Sequence, residues 1–144
     1  MSLVSALMKL RETLTFPGLP DLILAIPEVF QNAPLPLLFV DVTMVHAVYG
    51  ALRAEFQTEA TANLKLVFAV AQQNIPTNKE WFLWPIEIAE GLIKKMEQDT
   101  ADRVYENDGD KGFEVKILNW TVEYDSKTGP IATGILNLQL GGFL

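Results

Sequence analysis

One histidine and no cysteine limit what this chain can do with its side chains. Without cysteine there is no disulfide, no thiolate nucleophile and no thiolate metal site. With one imidazole, His46, and no thiolate, a conventional zinc site is close to excluded, and a solitary imidazole in an apolar strand reads as a packed or hydrogen-bonded residue. Glu87 and Glu90 are near neighbours on one helix and could form an acid–base pair. Acids in a helix's first turn are equally explained by the helix dipole, which is the plainer reading. Glu106-Asn107-Asp108-Gly109-Asp110 invites a calcium loop. With Gly109 at the sixth position, however, Val104 and Val115 fall where acids are required, so it reads as a solvated turn. Asn119-Trp120-Thr121 matches a glycosylation sequon but sits inside a strand pattern, where chance is the better account. Phosphate loops, nucleophile elbows and paired Asp clusters are absent from the sequence. The expectation is a non-enzyme with no catalytic residue, no cofactor and no metal.

Two features point to contact rather than chemistry. Trp81, Phe82, Leu83 and Trp84 crowd the junction between a loop and a helix. They read either as a hydrophobic staple that sets the helix's approach angle or as an interface anchor, because Trp is enriched in binding hot spots. The chain closes on Gly141-Gly142-Phe143-Leu144, an apolar end that suggests docking on its own domain or on a neighbour.

The elements that position these residues follow from periodicity. Leu3, Leu7, Leu10 and Leu14 make one stripe of an N-terminal helix over 3–15, closed by Phe16-Pro17-Gly18. A Pro-rich connection spans 16–36. A short helix over Leu22–Ile26 would turn Ile23 and Ile26 inward. Leu37 to Tyr49 is rich in β-branched and aromatic residues, with Leu38, Val40, Val42, Met44, His46 and Val48 sharing a face. Leu64 to Ala71 returns as a second strand, giving a hairpin over 37–71. Its long polar link, Gly50–Asn63, could project as an arm carrying Arg53, Glu55 and Phe56. Trp84-Pro85 opens a helix over 84–101, with Ile86, Ala89, Ile93 and Met96 as the buried stripe and Leu92 beside it. A second hairpin occupies 113–140 around Asp125-Ser126-Lys127-Thr128-Gly129. The order α-β-β-α-β-β predicts one α+β domain over 1–144. Its expected architecture is an antiparallel four-stranded sheet from two hairpins, with helices packed on one face.

Composition narrows the class. The chain is 49% hydrophobic and 20% charged, which is globular rather than disordered. A net charge of −7 and scattered basic residues oppose a nucleic-acid surface. No apolar run approaches the roughly 18 residues of a membrane span, and the N-terminus lacks a basic leader. A soluble, non-secreted protein is expected.

The helix–hairpin–helix–hairpin order resembles the tail-terminator and tail-completion (neck) proteins of long-tailed phages. The residues carrying the resemblance are Pro34–Val40 entering the first strand and Asn63–Val70 as the second. The helix from Pro85 and the closing hairpin Val115–Leu140 complete it. The likeness is one of topology. It implies a virion protein, assembled in the host cytoplasm, that forms a homo-oligomeric ring, commonly hexameric. Such a ring caps the tail tube and faces the head connector. Arg53, Glu55, Phe56, Trp81, Trp84, Phe143 and Leu144 are the candidate interface residues. The Pro-rich stretch Phe16–Pro36 and the two Trp before the helix depart from that pattern. The alternative is a stand-alone α+β module that binds a small ligand or peptide through its aromatic cluster.

Overall fold

Local sequence signals and tertiary contacts together set the architecture. The computed structural model describes residues 3–27, 35–49, 58–105, 113–126 and 130–143. Helix α1 (Leu3–Thr13) places Ala6 and Leu10 in the core, with Leu14 just beyond it. Its last turn is held by Thr13 Oγ1 donating to the Lys9 carbonyl at 2.9 Å. The chain then reverses at Gly18, whose φ of +93° is a left-handed conformation that L side chains resist.

The segment after that reversal is not a helix. Pro20 and Pro27 bracket too few residues to complete and nucleate helical turns. Its backbone groups are satisfied by strand β1 (Leu37–Tyr49) instead. Ile23 N–H donates to the Leu38 carbonyl at 3.1 Å and its own carbonyl accepts from Val40 N–H at 2.8 Å, a short parallel bridge. Leu22 is the residue that points inward, while Ile23 and Ile26 are exposed, contrary to the expectation from sequence.

Strand β2 (Thr58–Ala71) starts earlier than Leu64. Thr58–Asn63 pairs with the far half of β1, and its alternation of buried Ala60 and Ala62 with polar neighbours is weak because alanine carries little strand preference. The proposed arm is therefore partly strand, and 50–57 lies outside the described residues. Helix α2 (Trp84–Ala101) buries Trp84, Pro85, Ile88, Ala89, Leu92, Met96 and Asp99. Its inward face is rotated from the expected one, leaving Ile86 and Ile93 at its margins. Strands β3 (Phe113–Asp125) and β4 (Ile131–Phe143) form the second hairpin, and β4 continues through Gly141 and Gly142 to pair Phe143 with Glu59.

All four strands are antiparallel, in the order β1-β2-β4-β3, with both helices on one face. The fold is α+β. Gly134 faces the Phe68 ring so closely that a Cβ there would overlap it, and Gly91 gives the same room to Phe16. Between them these glycines let the ring of Phe68 rest against β4 and let Phe16 of the α1–β1 connection rest against α2. Among the described residues no helix is long and apolar enough to cross a membrane.

Two irregularities decide which residues share a face. The register shifts between Val42 and Met44 in β1 and between Ile117 and Asn119 in β3. Such bulges move every later side chain to the opposite face. Met44, His46 and Val48 thus leave the face of Leu38 and Val40 and join the helix-free side. Val45, Ala47 and Tyr49 take their place on the helix side. A strict alternation along β1 could not reveal this.

Candidate functional site

The chemically suggestive residues are dispersed. His46 lies across from Thr61 on the helix-free face, exposed, and Asp41 lies across from Lys65. Glu87 in the first turn of α2 pairs with Lys79 at 3.1 Å on the surface. Asn119 accepts a hydrogen bond from Asn137 Nδ2 at 2.6 Å, a cross-strand amide pair. Among the described residues no group of three or more His, Asp or Glu is arranged to hold a metal ion. Residues 106–112, with their acidic run, lie outside them.

Asp99 and Tyr105 form the one buried polar pair of note. Lys95 reaches Asp99 Oδ1 at 3.0 Å, and the buried Tyr105 hydroxyl lies near the Asp99 carboxylate and the Thr13 hydroxyl. Burial pushes the Tyr105 phenol up to about 12, with the Asp99 charge adding to the shift and Thr13 opposing it. The Tyr105 carbonyl accepts from Phe113 N–H at 3.3 Å. This joins the end of α2 to the start of β3 and closes the core there.

The Trp81–Trp84 junction splits into an inner and an outer part. Trp84 is a core residue, 2% exposed, with its indole against Gly18. As placed, it offers nothing to a partner. The staple reading also changes, because the residues that would clasp are exposed Phe82 and Glu87. The helix is aimed instead by Trp84 in the core and by Trp81 against Tyr124, edge to face at 5.6 Å. Tyr124 donates its hydroxyl to the Phe82 carbonyl at 2.7 Å, and the Phe82 ring lies 5.5 Å from it. Phe82 and Leu83 face solvent at 66% and 51% exposure, so they, not Trp84, are the accessible apolar residues here.

Among the described residues each edge of the sheet has a stretch that no other element covers. On β1 the near end is covered by Ile23, whereas Val42, Met44, Val45, Val48 and Tyr49 are all exposed. On β3 the near end is covered by the close of α2. Val115 N–H donates to Thr100 Oγ1 at 3.3 Å and Phe113 N–H to Tyr105. Further along, Leu118 and Trp120 are exposed. Met44–Tyr49 and Ile117–Val122 contain no formal charge, although the chain carries −7. Edge strands are normally guarded by charge or proline. Glu114, Lys116, Glu123 and Asp125 guard β3 outside its neutral stretch, whereas among the described residues β1 beyond Asp41 has a bulge and no charge.

These edges were not singled out from sequence. An uncharged apolar run reads the same whether a neighbour covers it or not, and the absence of charge over Met44–Tyr49 was the only available signal. Of the interface residues suggested by sequence, Arg53, Glu55, Phe56 and Leu144 lie outside the described residues. Phe143 is placed only through its backbone pairing with Glu59. No protein-family model matches the chain, and a comparison with curated proteins finds no match.

Proposed function

We propose that this chain is a virion structural subunit, a ring-forming tail terminator or completion protein at the tail–neck junction. It would act through contacts with copies of itself, the tail tube and the head connector. The observation that supports this reading is the pair of uncovered, uncharged stretches on opposite edges of one sheet. A subunit that builds a closed ring must offer two different surfaces, one to each neighbour. A monomeric binding module has no need of two. The helix-free face adds support, since Asn63, Lys65, Asn119, Asn137 and Gln139 give it a polar middle suited to a water-filled bore.

The test is the mass of the purified chain in solution together with imaging of its mixture with purified tail tubes. Rings seated at one end of the tube are expected. A chain that stays monomeric and never decorates tubes would end this reading.

A second reading, a stand-alone peptide- or ligand-binding module, draws on the exposed Phe82 ring beside Tyr124 and half-buried Trp81. Phe82→Ala would then abolish ligand binding while leaving the mass in solution unchanged.

A further inference from the structure

The register ladders show where along the sheet each bare stretch lies. Ala47 is level with Ala60 on β2, then with Gly142 and with Phe113. Trp120 is level with Leu136, then with Leu66 and with Val40. The bare end of β1 therefore stands beside the covered end of β3, and the covered end of β1 beside the bare part of β3. The two neutral stretches are offset along the strands, one at the far end of β1 and the other in the middle of β3.

From this geometry we infer that neighbouring copies join head to tail by strand addition. Val45–Tyr49 of one copy pairs antiparallel with Leu118–Val122 of the next, so that the sheet runs on from subunit to subunit. The inference rests on the assembly reading above and names its contact.

Four features of the chain agree on this pairing. Direction is the first: β1 and β3 run oppositely in the antiparallel order, so rotation about an axis along the strands brings them together antiparallel, like every other pair. The second is backbone left unpaired among the described residues. Val40 N–H points out to Ile23 and Val115 N–H out to Thr100. Carried past the two bulges, outward amides fall on Val45, Ala47 and Tyr49, and on Trp120 and Val122. Third is side-chain match. Keeping the helix side of one copy continuous with that of the next sets Val45 opposite Val122 and Ala47 opposite Trp120. These are the residues with outward amides, and the small residue meets the large one. On the helix-free side His46 then meets Thr121 and Val48 meets Asn119, with no like charges opposed.

The fourth is closure. Bringing Trp120 beside Ala47 slides each copy along β2's register from Ala60 to Leu66, roughly 20 Å at ~3.3 Å per residue. Four strands span roughly 19 Å at ~4.8 Å spacing. A slide about equal to the width tilts the strands by about 45°, at the steep end of the range closed barrels adopt. That tilt holds for any number of copies.

Because the chain has no cysteine, introduced pairs report cleanly. His46 and Thr121 would form a non-hydrogen-bonded pair with Cα atoms about 4.5 Å apart, within disulfide reach. Oxidising the His46→Cys, Thr121→Cys double variant should give a covalent ladder at multiples of 16.1 kDa, while each single variant stays at the mass of one chain. A disulfide dimer from His46→Cys alone would mean two-fold pairing of β1 with itself and would overturn the inference. So would rings that form without the ladder, and that result leaves the assembly reading standing. A chain that remains monomeric and ignores tail tubes brings down the assembly reading itself. Proline supplies the second arm. Ala47→Pro removes only an outward amide, which an edge strand tolerates, so the variant should fold yet lose assembly at least about tenfold in apparent affinity. Assembly unchanged in folded Ala47→Pro would also overturn the pairing.

Discussion

The two halves of β1 are alike in composition and opposite in fate. Leu37, Leu38, Phe39 and Val40 are all buried, and Val42 through Tyr49 are all exposed. The near half has helices against one face and Ile23 along its edge. The far half has β2 beside it and no neighbour along its outer edge among the described residues. Hydrophobicity tells which residues gain from burial; the layout of the other elements tells which receive it. In this sheet the unburied half coincides with an uncharged edge, and an assembly surface requires both properties.

That contrast can be broken at several points, and the largest effect is expected in the covered half. Leu38→Ala empties a fully buried site and should cost about 3 kcal/mol by urea unfolding. A cost below about 1 kcal/mol would mean that the near half is no better packed than the far half.

Gly134→Ala should cost about 2 kcal/mol, because the new methyl displaces the Phe68 ring that packs at the level of Leu38. Shortening that ring in a Gly134→Ala, Phe68→Leu double variant should cost less than the two single changes added together. Simple additivity would show that the two residues do not meet.

Tyr105 tests the core at the opposite end, next to β3's covered start. Its phenol is raised in the folded state, so folded protein holds the proton after unfolded chain has lost it. Stability is fully present below pH 10 and falls as pH rises from there through about 12. The loss should approach about 2 kcal/mol and vanish in Tyr105→Phe. A wild-type decline matched by the variant would assign it to other groups.

The smallest effect belongs to the bare half. Val48→Ala should change stability by no more than about 0.5 kcal/mol, since the side chain is 57% exposed. A cost near that of Leu38→Ala would erase the comparison and mean that something covers this edge within the single chain.

Much of the fold was legible because it is written in local signals. Leu37–Tyr49 lacks Gly and Pro and is dense in β-branched residues, and the strand found there has those bounds. Pro85 in the first turn and the apolar spacing after it define α2 over Trp84–Ala101. Features set by long-range neighbours were read wrongly or missed. Ile23 looked like the inner side of a helix because its partner, the edge of β1, is remote in sequence. Trp84 looked like a surface anchor because the glycine that receives its indole, Gly18, lies far up the chain. The aromatic junction was found, but not which of its residues face solvent.

The sequence by itself determined the two main helices, the four strands, the antiparallel α+β class and the lack of any thiolate. Each of these depends on residue identity or on spacing within a few turns of chain. Only the tertiary structure decided the strand order, the bulges that carry His46 to the helix-free face, and the halves of each edge left uncovered. These depend on which distant backbone groups find each other. A bulge is one unpaired residue in a ladder, and its effect on every later side chain appears only once the partner strand is in place.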